Sequence, residues 1–170
     1  MRTPIILRPV AEVAAVAEKI VAELRDELGA LLPAAVVEHV GATSLPFGVT
    51  KGDVDVAVSV RVGEFDDAVG MLRSRCEIAQ AENWTETYAS FSLSDRPLPV
   101  GLQVAVIGSP DDFLVPLRDL FRARPDLLAA YDACKRKAAY LGAQGYWAAK
   151  DRFLRNLLLE HLPEARPAFR

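Results

Sequence analysis

Cysteine and histidine are scarce in this chain of 170 residues, with two of each. Cys76 and Cys134 form no CxxC pair, which excludes a disulfide scaffold and fits a reducing cytoplasm. With only His39 and His161 there is no HExxH and no basis for a structural zinc site. Neither GxGxxG nor GxxxxGK[ST] occurs, so a Rossmann site and a P-loop are both unsupported. The longest uncharged run, residues 97–110, is too short and too broken by proline and glycine to span a bilayer. The opening MRTPIILRPV has only a few apolar residues before Arg8 and does not read as a signal peptide. What remains is 51% hydrophobic and 25% charged, the composition of one globular domain.

A net charge of −3 argues against bulk binding of nucleic acid, but the charge is unevenly placed. Residues 114–170 hold 11 Lys and Arg against 6 Asp and Glu, while the preceding residues are acidic on balance. An acidic front and a basic rear frame a ligand carrying both metal and phosphate, or are simply scattered solvated charge.

Apolar residues at three- and four-residue steps predict a helix over 10–32, stopped by Pro33. Residues 36–40 and 53–60 read as strands, the second alternating as DVDVAVSV. A helix over 64–75 follows, then strands over 84–93 and 100–107. Past Gly108-Ser109-Pro110 the pattern is helical, over 111–124, 126–141 and 146–162. The expected fold is α+β (mixed α/β), a small mixed sheet backed by helices. Residues 1–170 form one domain, with a sheet half over about 1–109 and a helical half over about 110–170.

The chemistry concentrates between residues 41 and 56. Asp53 and Asp55, two apart on a strand, point to one face about 7 Å apart and can converge on one or two divalent cations. Hard Mg²⁺ or Mn²⁺ suits such oxygens, usually shared with substrate phosphates; the alternative is a pair of carboxylates facing water. In the Gly41-Ala42-Thr43-Ser44 turn, Gly41 permits a tight bend, and the hydroxyls and N–H groups after it can ring an anion or cap a turn. Lys51 is placed to meet phosphate or to pair with Asp53.

Residues 37–60, VEHVGATSLPFGVTKGDVDVAVSV, resemble the signature of the GrpB-like family within the polymerase-β-like nucleotidyltransferase superfamily. That signature reads Glu-His-h-Gly-Ser-Thr-Ser-h-Pro (h apolar), then a Lys and an Asp-bearing strand. Glu38, His39, Gly41, Thr43, Ser44, Pro46, Lys51 and Asp55 match, and Ala42 replaces a serine. Leu117, Arg118, Asp119, Arg124, Pro125, Asp126, Leu127, Tyr131, Lys135, Tyr146 and Lys150 extend the similarity through the helical half.

The resemblance implies a nucleoside triphosphate held by Gly41, Thr43 and Ser44, a metal held by Asp53 and Asp55, and nucleotidyl transfer to an acceptor the sequence does not name. It also exposes a departure. The superfamily takes a third carboxylate from a later strand, and GrpB-like chains tend to carry His-h-His there, whereas here the matching face offers Gly101, Gln103 and Ala105. Glu86 is a substitute or a solvated side chain.

Lys135 and Lys150 fall on otherwise apolar helix stripes. Each either snorkels to water or points into the cleft to neutralise phosphate oxygens. His161, Arg166 and Arg170 read as a solvated helix end. Three functions stay open: a Mg²⁺-dependent nucleotidyltransferase, a nucleotide-binding module that has lost catalysis, and an interaction domain.

Overall fold

The computed structural model describes residues 3–165; Met1, Arg2, Arg166 and Arg170 lie outside the described residues. The elements run β1 (Arg8–Pro9), α1 (Val10–Leu31), β2 (Val36–Val40), β3 (Val49–Thr50), β4 (Val54–Val60), α2 (Phe65–Arg73), β5 (Glu77–Ile78), β6 (Tyr88–Leu93), β7 (Val100–Val106), α3 (Leu114–Ala123), α4 (Pro125–Ala138) and α5 (Gly142–His161). Five strands form a mixed sheet in the order β2-β4-β7-β6-β5, and β1 pairs with β3 separately. Only β4 and β7 run parallel in the larger sheet; its other pairs are antiparallel.

The period-two alternation of β4 decides what each sheet face does. Val54, Val56, Val58 and Val60 are buried against α1 and α2, joined by Val100, Leu102, Val104 and Val106 of β7. Full burial of each such side chain is worth about 1.5–3 kcal/mol, which fixes the register of the two central strands. The opposite face then carries Asp55, Ala57 and Ser59 beside Gly101, Gln103 and Ala105. A second core joins Leu45 to Phe113, Leu117, Phe121, Leu128, Tyr131, Leu154, Leu157 and Leu158 of the helical half. The cleft lies at the seam between the two cores. Among the described residues no helix is long and apolar enough to cross a membrane.

The strand expected over 84–93 begins only at Tyr88. Trp84 instead closes a short turn, its indole N–H donating to Ala79 O at 3.0 Å and its ring tilted against Phe91. Glu86 is exposed in the turn before β6 and does not line the cleft, so it supplies no substitute carboxylate there. Asp53 also stands outside its expected strand, just ahead of β4.

Lys135 corrects a further expectation. It is 2% exposed, and its ammonium donates to the carbonyl of Val49 rather than entering the cleft. The amide of the same Val49 donates to Asp132 Oδ1 at 2.6 Å. Two neighbouring residues of α4 thus grip both polar groups of one β3 residue, and this fixes the segment leading to Lys51 and Asp53. Gly48 allows the approach: its φ is 111°, and a Cβ there would lie 2.8 Å from Asp132 Oδ1.

Burial pushes Lys135 down from an ordinary 10.5 to about 8, against the opposing pull of Asp132. Between those values the unfolded chain binds more protons than the native protein, so this group makes stability rise with pH. Urea unfolding across that range should show the native chain gaining up to about 3 kcal/mol relative to Lys135→Met, from 1.36 kcal/mol per pKa unit. Parallel pH curves for the two chains would contradict the assignment.

Candidate functional site

Asp55 is the centre of the site. It lies half-buried on the cleft face of β4, opposite Gly101 of β7. A Cβ at Gly101 would sit 3.1 Å from Asp55 Oδ1, and one at Gly41 would sit 2.8 Å from Asp55 Cβ. Gly41 also has a φ of 71°, a left-handed conformation that suits glycine alone. Two glycines therefore leave the room that the Asp55 side chain occupies, with the Gln103 amide beside it over Gly101. Gln103 Nε2 donates to Asp55 Oδ1 at 3.1 Å, while its own Oε1 is buried without a partner. Burial pushes the Asp55 carboxyl up and the charge of Asp53 pushes it further; Lys150, the Gln103 amide and Lys51 pull it back.

Asp53 and Asp55 both line the cleft. Asp53 Oδ2 lies 3.0 Å from Lys51 Nζ. Lys51 and Lys150 place their ammonium groups 4.3 and 4.8 Å from the ring centroid of Trp147, a cation–π platform that gathers two positive charges beside two negative ones. The cleft has a volume of about 470 Å³, and Leu45, Phe113, Leu114 and Phe121 supply much of its apolar wall.

Thr43 and Ser44 do not ring an anion with their hydroxyls. Both are buried, and neither lines the cleft. Thr43 Oγ1 meets His39 Nε2 at 2.9 Å and donates to Asp53 O at 3.3 Å. Ser44 Oγ donates to Gly41 O at 2.7 Å. Only Gly41 and Ala42 of the turn face the cleft, and Ala42 brings no hydroxyl to it. The two side chains brace the turn from inside. His39 is held neutral, lowered to about 4 by burial and by Arg122, Arg25 and Arg118.

Arg118 joins the two halves at the cleft wall. One nitrogen donates to Glu38 Oε2 at 2.8 Å and to His39 O at 2.9 Å, while Nε donates to Asp119 Oδ1 at 2.8 Å. Arg122 reaches Ser44 O at 2.8 Å.

Among the described residues no group of three or more His, Cys, Asp and Glu is gathered to hold a metal. Beside the ammonium groups of Lys51 and Lys150 the cleft presents the carboxylates of Asp53 and Asp55, with Glu82 and Asp151 also in its lining. That set fits a hard divalent cation sharing its oxygens with a phosphate, and does not make a closed protein cage.

The fold defines the class. A Cid1 poly(U) polymerase crystallised with MgGTP superposes with a TM-score of 0.51 at 12% identity, over 71% of this chain and 39% of that one. The sheet and its helices therefore have a nucleotidyltransferase-like fold, and the chain spans well under half the length of that polymerase. GrpB from Enterococcus faecalis superposes over 94% of this chain and 98% of its own, with a TM-score of 0.73 at 18% identity. A UPF0157 protein of Vibrio cholerae is 30% identical over 132 residues, 78% of this chain and 70% of that protein. Residues 4–160 match the GrpB protein family, and the chain belongs to it.

Because Asp55 carries a charge its slot opposes, Asp55→Asn should stabilise the ligand-free protein at neutral pH. A gain of about 1 kcal/mol, or about 2–4 °C in Tm at this size, is expected by calorimetry. A loss of stability would mean that the carboxylate is already well compensated.

Proposed function

We propose that the cleft binds a nucleoside triphosphate together with Mg²⁺ or Mn²⁺, and that nucleotidyl transfer from it is slow. The observation that carries this reading is the meeting of Asp53 and Asp55 with Lys51 and Lys150 in one cleft. The fold shared with a polymerase crystallised with MgGTP supports it. Asp53 and Asp55 would hold the cation, which when bound offsets phosphate charge and polarises a phosphoryl oxygen. Lys51 and Lys150 contact the remaining phosphate oxygens, and the backbone at Gly41 and Ala42 lies against the phosphate chain. Thr43, Ser44 and Lys135 act behind this surface as braces.

Transfer requires an acceptor atom to bond to the α-phosphorus as the bond to pyrophosphate breaks, with the acceptor proton lost to a base. Gln103 is no base. His39 is spent on Thr43 and resists protonation. The same Gln103 favours a second reading, a nucleotide-binding module without turnover.

With ligand at a hundredfold its Kd, Mg²⁺ plus triphosphate should add about 2.7 kcal/mol, a Tm rise of roughly 5–10 °C. Asp53→Asn with Asp55→Asn should remove the metal-dependent part. Lys150→Met should weaken binding by about 1.5–3 kcal/mol, the worth of a charge-assisted hydrogen bond. A panel of nucleotides giving no shift with any divalent ion would reject this reading in favour of an interaction domain.

A further inference from the structure

We infer that Trp147 holds the ammonium groups of Lys51 and Lys150 ready for a phosphate chain, and so sets a preference of the cleft for triphosphate over a single phosphate. The inference rests on the triphosphate reading above and adds to it the residue that positions the two lysines.

The cleft carries more acid than free base. Asp53, Asp55, Glu82 and Asp151 line it, against Lys51, Lys150 and Arg118. Arg118 is already taken by Glu38, Asp119 and the carbonyl of His39. Two lysines remain to meet an anion, and both have acids nearby that could neutralise them. Lys51 Nζ does sit 3.0 Å from Asp53 Oδ2. Lys150 acts on Asp55 and on its neighbour Asp151 through its charge, yet among the described residues its ammonium makes no ion pair. What it meets is the Trp147 ring, 4.8 Å from the centroid.

The helix places that ring at the cleft. Steps of three, four and seven residues put Trp147, Lys150, Asp151 and Leu154 on one face of α5, and all four line the cleft. The indole is 40% exposed and meets Tyr146 edge-on, with ring centroids 5.7 Å apart. Lys51 reaches the same ring from the loop between β3 and β4, 4.3 Å from the centroid. Two like charges on long, freely rotating stems repel and spread unless something gathers them. The negative face of an indole does so, and it leaves the positive charge in place, as a carboxylate partner would not. The N–H donors turned away from the ring stay available to phosphate oxygens. A chain of three phosphates has oxygens enough to meet both ammonium groups at once, so gathering the pair favours the chain.

Isothermal titration calorimetry with inorganic tripolyphosphate, orthophosphate and α,β-methylene-ATP, each with Mg²⁺, tests this role, with circular dichroism recording the fold of every variant. The native protein should bind tripolyphosphate at least about tenfold more tightly than orthophosphate, because two side chains are ordered in advance. Trp147→Leu and Trp147→Gln, which keep a side chain but no π face, should weaken tripolyphosphate and the analogue by about tenfold and orthophosphate by less. Trp147→Phe should restore most of that affinity, since it returns a π face. The inference is overturned by a native protein with no preference for tripolyphosphate, or by unchanged affinity in both Trp147→Leu and Trp147→Gln. A loss equal for orthophosphate and tripolyphosphate, or one that Trp147→Phe does not restore, would overturn it as well. In each of these cases the triphosphate reading stands as long as the native protein binds the analogue. Failure of the native protein to bind the analogue at all would remove both.

Discussion

Everything at this site depends on holding one carboxylate where burial opposes its charge. Asp55 is placed by the alternation of β4, whose valines cannot leave the core without turning every side chain to the wrong face. Around it the chain has removed atoms rather than added them: glycine at 41 and at 101 leaves room for its side chain. Compensation in the ligand-free protein is partial, from one amide donor and two lysines at the cleft. A site poised in this way gains most from a ligand that brings positive charge with it.

The surrounding contacts serve to keep that slot and its neighbours in place across the seam between the two cores. Asp132 and Lys135 fix Val49, and with it the short path to Lys51 and Asp53. Arg122 and Ser44 hold the turn at Gly41, and Thr43 ties that turn to the backbone of Asp53. Arg118 binds β2 to α3 through Glu38 and the carbonyl of His39. Residues that look like ligand-binding groups by type, among them Thr43, Ser44 and Lys135, are thus engaged in positioning the ones that reach the cleft.

Much of the fold was legible because strand and helix periods are local. The alternation over residues 53–60 placed the valines on one face and Asp55 on the other, and the long N-terminal helix declared itself through its apolar stripe. Lys135 and Lys150 show where such reasoning stops. Both sit on inward stripes, yet one meets Val49 and the other Trp147, a difference set by which element packs opposite. Hydroxyl direction in the Gly41-Ala42-Thr43-Ser44 turn depends on a tight 3₁₀ turn whose rotation no spacing rule reveals. The pairing of Gln103 with Asp55 needs the parallel register of β4 and β7, a contact between residues 48 positions apart. The absent third acid could be read from the sequence; the hydrogen bond that replaces it could not.

In the ligand-free protein burial and the charge of Asp53 outweigh the compensation that Lys150, Gln103 and Lys51 give the Asp55 carboxylate. Site-resolved ¹³C NMR titration of the aspartate carboxyls, without and with Mg²⁺ and a non-hydrolysable triphosphate, tests it most directly. Asp55 should titrate above the ordinary aspartate range in the ligand-free protein and fall well below that position when both are added. An Asp55 that titrates at an ordinary value and does not respond to Mg²⁺ with triphosphate would contradict it.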